Sequence, residues 1–89
     1  MTTTDIKTNT TLSASIKSKE KILFDGTVRT ISSVNERGPF DVLPLHANFI
    51  TLILNYVILD KGLSTERRFD IEKGVLYVLS NKVDVYVGI

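Results

Sequence analysis

A lone histidine, scattered carboxylates and several serines are the residues of this 89-residue chain that could do chemistry. His46 is the single histidine and cysteine is absent, so one copy cannot assemble a His/Cys metal cluster. The lack of cysteine also excludes disulfide and thiolate chemistry. His46 lies in Pro44-Leu45-His46-Ala47. Its ring can donate from one nitrogen and accept on the other, which suits a loop that pins its own backbone. Asp41, Asp60, Asp70 and Asp84 are the candidates for a general acid and base pair. Their scatter over strands and loops marks the outer face of a sheet more simply. The serines include no Gly-x-Ser-x-Gly elbow. Gly74 stands in Lys73-Gly74-Val75 with no phosphate-binding loop around it, so it reads as a turn or bulge. The expectation is a non-catalytic protein with no cofactor, no metal site and no small-molecule substrate.

The elements that must carry these residues are short and extended. Leu12, Ala14 and Ile16 alternate with Ser13, Ser15 and Lys17, the period of a half-buried strand. Ile22-Leu23-Phe24 follows and is expected to stop at a turn on Asp25-Gly26. Val28 to Val34 reads as a third strand with a bulge near Arg29-Thr30. Residues 35–39 read as a loop, and Phe40 to Leu43 as a short strand that Pro44 ends. Phe49 to Leu54 and Val57 to Leu59 read as two strands with a turn at Asn55-Tyr56. Glu66 to Ile71 alternates, with Phe69 and Ile71 on one side and Arg68 and Asp70 on the other. Val75 to Leu79, a turn at Ser80-Asn81-Lys82, and Val83 to Val87 form a closing hairpin, with Val83, Val85 and Val87 on one face. Such spacing predicts an all-β fold, a two-sheet antiparallel β-sandwich of about ten short strands.

One domain fits the length. Residues 1–11, rich in threonine and without apolar period, are expected to be a disordered arm, and 12–89 the sandwich domain. Eleven basic and ten acidic residues leave a net charge of +1, poor material for a nucleic-acid footprint. Lys17, Lys19 and Lys21, with Glu20 among them, read as a solvated strand edge. No apolar core follows the first residues, so a signal peptide is not expected. The apolar stretch from Phe49 to Leu59 is too short for a spanning helix. These features give the expectation of a soluble, intracellular chain.

The segment Phe49-Ile50-Thr51-Leu52-Ile53-Leu54 is apolar on both parities. A sandwich core takes one of them. Ile50, Leu52 and Leu54 are the candidates for the core, which would turn Phe49 and Ile53 outward. The outward pair is then buried under a loop or the sandwich edge, or docks another subunit.

Three blocks, in order, resemble the N-terminal β-sandwich domain of the epsilon subunit of rotary ATP synthases, called delta in mitochondria. They are Ile22-Leu23-Phe24-Asp25-Gly26-Thr27-Val28, the run Gly38 to Ile53 containing Leu43, Pro44, His46 and Ala47, and Lys73 to Val85. The resemblance spans about Leu12 to Val87. It implies a flattened sandwich in the central stalk of an F-type ATP synthase. Such a subunit does no chemistry and links the gamma subunit to the c-ring for proton-driven ATP synthesis. It also implies a peripheral place on the cytoplasmic face of the cell membrane, reached only through the ring. His46, Asn48, Phe49 and Ile53 are the gamma contacts it implies, and Glu36, Arg37 and Pro39 the c-ring contacts.

The chain departs from the family pattern at several positions. Leu45 stands where many members have glycine, Asn48 where many have proline, and Pro39 where many have an acidic residue. Asn55-Tyr56 replaces a frequent Pro-Gly. Family members usually continue into a helical hairpin, whereas this sequence stops at Ile89, either because it is a trimmed piece or because the protein lacks the hairpin; in both cases neither ATP binding nor helix-mediated inhibition is expected of residues 1–89. The alternative is a stand-alone β-sandwich for protein binding or oligomerisation, derived from that domain. A gene beside those of an ATP synthase, or co-purification with gamma, separates the two.

Overall fold

The structure is a computed structural model that describes residues 11–88. The expected arm therefore lies outside the described residues except for Thr11. Among the described residues there are seven strands and no helix: β1 (Leu12–Lys17), β2 (Ile22–Val28), β3 (Ile31–Asn35), β4 (Gly38–Val42), β5 (Phe49–Leu59), β6 (Arg67–Leu79) and β7 (Lys82–Val87). All belong to one hydrogen-bonded sheet of order β2-β1-β7-β6-β5-β3-β4. Every neighbouring pair is antiparallel except β1 and β7. Those two run parallel because the rest of the domain serves as the long crossover that parallel pairing needs.

The sheet folds over on itself. β2 and β6 stand three places apart in the order, which would separate them by roughly 14 Å in a flat sheet. Yet the Phe24 and Phe69 rings meet edge to face at 6.5 Å, and the Arg67 guanidinium lies 5.3 Å from the Phe24 ring. The space between the two layers is filled by a single apolar cluster that draws on every strand. Leu12, Ala14 and Ile16 enter it from β1, and Val83, Val85 and Val87 from β7, as their alternation requires. The all-β sandwich expected from the sequence is the fold found. It is built from one mixed sheet, and its strands are fewer and longer.

Three turn signals lie inside strands; two of them, at Asn55-Tyr56 and Gly74, lower the count, and the third moves the boundary between β2 and β3. Asp25-Gly26 does not end β2, which runs through to Val28. A Cβ on Gly26 would stand 3.2 Å from Cζ of Phe24, so the glycine leaves room for that ring. Asn55-Tyr56 does not divide β5. Asn55 takes a left-handed φ of 72°; against β3 it and Tyr56 are the extra residues between Leu54 and Val57, a bulge on β5, and the register with β6 also slips between Leu54 and Tyr56. A left-handed asparagine serves a bulge as well as a turn. Gly74, finally, lies inside β6, where a Cβ would meet the Tyr86 carbonyl oxygen at 2.5 Å. Glycine is there because the β7 backbone comes too close for anything larger.

The true turns are tight. Ser80 and Asn81, with φ of 50° and 63°, join β6 to β7, the pattern of a type I′ hairpin. Glu36 and Arg37 alone join β3 to β4. The break expected near Arg29-Thr30 is the end of β2 and the start of β3. The Asp60 carboxylate holds that joint by accepting the Arg29 and Thr30 amides at 2.6 and 3.3 Å.

Candidate docking surface

The carboxylates are occupied singly on different elements. Asp41 accepts the Ser32 hydroxyl at 2.6 Å and Asp84 the Ser15 hydroxyl at 2.7 Å. Asp70 pairs with Arg68 at 2.9 Å, while Arg68 also lies over the Tyr56 ring. Asp60 adds the Thr65 hydroxyl at 2.6 Å to its two amides. Burial alone would raise the Asp60 carboxyl. The Thr65 hydroxyl, the two amides and the Arg29 charge outweigh it and hold the group below the ordinary 3.8. No group of three or more metal-ligating residues occurs among the described residues. Nor is any helix there long and apolar enough to cross a membrane.

The unusual feature is the outside of the sheet. Ile50, Leu52 and Leu54 are 65%, 68% and 40% exposed, whereas Ile53 is fully buried. The parity expected for β5 is therefore reversed. Ile53 points into the core beside Gly74, and it cannot be a partner contact. Phe49 shares its inward parity. It is half-buried against the core, edge-on to Phe40 at 6.1 Å. Across the ladder Ile50 pairs with Tyr77, Leu52 with Val75 and Leu54 with Lys73. Val75 then pairs with Tyr86, and Leu54 with Val34 on the other side. Paired residues share a face, so these side chains form one outward patch across β7, β6, β5 and β3. Tyr77, Leu79 and Tyr86 are also exposed. Lys82 opposite Leu79 and Lys17 opposite Tyr86 border the patch.

Sequence reasoning missed this face because both parities of β5 are apolar. Its signal was present. Ile50, Leu52 and Leu54 are wholly apolar, while the inward parity carries Thr51 between Phe49 and Ile53. A strand whose greasier side faces solvent has a second surface to bury against.

At one end of the patch the β4–β5 linker is stapled to the β6–β7 turn. Asn81 Oδ1 accepts the Leu45 amide at 2.6 Å, and Asn48 Oδ1 accepts the Ser80 amide at 2.8 Å. Leu45 adopts a φ of 69°, the conformation glycine takes without cost. His46 and Asn48 are exposed here, and the His46 ring lies 4.9 Å from that of Phe49. The linker thus brings His46, Asn48 and Phe49 together.

Glu36, Arg37 and Pro39 are exposed at the β3–β4 hairpin. Asn35 Oδ1 accepts the Arg37 amide at 2.9 Å and its amide nitrogen donates to Thr51 at 3.1 Å, which fixes the turn to β5. Pro39 pairs with Val34, the neighbour of Leu54. The hairpin is therefore continuous with the apolar patch.

Fold and surface together define a small β-sandwich whose exterior, rather than an interior pocket, carries its distinctive residues. The chain belongs to the family of ATP synthase Delta/Epsilon chain β-sandwich domains, whose family model matches residues 11–88. No curated protein matches the sequence. Among solved structures it is similar to a chain of the Euglena gracilis mitochondrial ATP synthase, OSCP/F1/c-ring, with a TM-score of 0.79 and 14% identity over 88% of this chain and 51% of that one. It is also similar to a chain of the Tetrahymena thermophila mitochondrial ATP synthase central stalk/c-ring, with a TM-score of 0.70 and 10% identity over 88% of this chain and 63% of that one. At these identities the likeness is one of fold. The chain spans about half to two thirds of the length of these relatives.

Proposed function

We propose that this chain is a non-catalytic central-stalk subunit of an F-type ATP synthase, which ties the gamma subunit to the c-ring during proton-driven ATP synthesis. Its place is peripheral, on the cytoplasmic face of the membrane, held there through the ring. Family membership supports the complex. The observation that carries the docking role is the outward stripe of Ile50, Leu52 and Leu54 on a central strand. Burying one such side chain contributes about 1.5–3 kcal/mol, so a partner that covers the stripe gains substantially. Gamma docks on this stripe with Tyr77, His46, Asn48 and the open edge of Phe49. Glu36, Arg37 and Pro39 rest against the ring. The sandwich transmits torque as a stiff spacer between them, and no bond is made or broken.

The test is co-purification with the gamma subunit of the same organism. Wild type should bind it. Leu52→Asp should weaken binding by at least about tenfold, as loss of a central apolar contact does, while the β-sheet circular dichroism stays unchanged. A wild-type chain that ignores gamma and associates with itself would instead favour the stand-alone module.

A further inference from the structure

The lone histidine has one nitrogen spoken for and one free. His46 Nδ1 lies 2.8 Å from the Ala47 carbonyl oxygen. A carbonyl only accepts, so the proton of this bond sits on Nδ1. In the neutral ring that leaves Nε2 as a bare acceptor, and no hydrogen bond reaches it among the described residues. The ring is not free to wander. It lies at a 38° tilt on Phe49, 4.9 Å between centroids. The His46 amide donates to the Leu43 carbonyl at 3.1 Å. The residue before it is held by Asn81 Oδ1, and the residue after Ala47 holds the Ser80 amide. Backbone and ring position are thus held before any partner arrives, on an exposed residue beside the apolar patch.

We propose that His46 is held as the Nδ1–H tautomer, and that its Nε2 accepts a hydrogen bond from an N–H or O–H donor on the docked gamma chain. This rests on the reading that gamma docks at this end of the sandwich. The contact supplies register rather than bulk affinity. An apolar stripe alone tolerates sliding along the strand, whereas a single fixed acceptor at its end does not.

The tautomer is read by long-range nitrogen–proton correlation on the free chain with labelled histidine, in mildly alkaline buffer. The expected pattern is a protonated Nδ1 and an unprotonated Nε2, and the Nε2 resonance should move when gamma is added. Binding is then compared for two variants. His46→Phe keeps a ring on Phe49 but has no acceptor, and it should bind gamma about three- to tenfold more weakly, the loss of one hydrogen bond. His46→Gln places an amide oxygen at the reach of Nε2 and should recover most of that loss. A free chain with the proton on Nε2, a stationary Nε2 resonance, or equal affinity of wild type and His46→Phe overturns the proposal while gamma docking stands. A wild-type chain that does not bind gamma overturns both.

Discussion

Asp60 is the carboxylate most bound up in the architecture. It is 6% exposed and accepts three hydrogen bonds, two of them from residues about thirty positions earlier in the chain. Its folded form is more acidic than its unfolded form, so its contribution is complete above the ordinary 3.8 and is lost as pH falls below that through the folded value. Asp60→Asn should therefore cost about 1–3 kcal/mol at neutral pH, and the difference from wild type should shrink in acid. Urea titrations of both proteins across that range check this. Asn81 gives a second test. Asn81→Gly keeps the left-handed φ of 63° available but removes the acceptor for the Leu45 amide. The hairpin should persist while hydrogen exchange at Leu45 quickens. Neither role was legible in the sequence. Asp60 reads there as one acid among several in a loop, and Asn81 as a turn residue, because their partners are brought to them only by folding.

Strand boundaries are legible in the sequence where alternation is clean and obscured where a special residue sits within a strand. β1 and β7 follow their alternation, and the β6–β7 hairpin falls where the Ser80-Asn81 signal puts it. In the sequence Asn55, Asp25-Gly26 and Gly74 look like punctuation. All three signals mark local backbone needs, which a bulge, a ring packing over a glycine, or a close strand crossing satisfies as well as a turn does. Local sequence cannot separate these outcomes, since the deciding neighbour belongs to another strand. Gly74 makes the point measurable. Gly74→Ala drives a methyl into the Tyr86 carbonyl, so β6 or β7 must shift. The expected cost is about 1–3 kcal/mol, visible as a lower denaturation midpoint with the sheet signal retained below it.

For the molecule as a unit, the decisive contrast lies between adjacent residues of β5. Ile53→Asp places an unpaired charge in the core, at a cost of several kcal/mol, and should unfold the domain. Leu52→Asp should leave it folded and unable to dock. Circular dichroism and gel filtration of the pair distinguish the two faces directly, and Val85→Asp should behave like Ile53→Asp because Val85 is equally buried. Composition and periodicity sufficed for an all-β domain and for the core faces of β1 and β7, and three motif blocks in order carried the resemblance to the ATP synthase family. Each of these is written in residues close together along the chain. The parity of β5, the fold-over that brings Phe24 to Phe69, the parallel pairing of the first and last strands and the stapling of the His46 linker depend on contacts between distant segments. A strand apolar on both sides is satisfied by either orientation locally, and the choice belongs to the strands that pack against it.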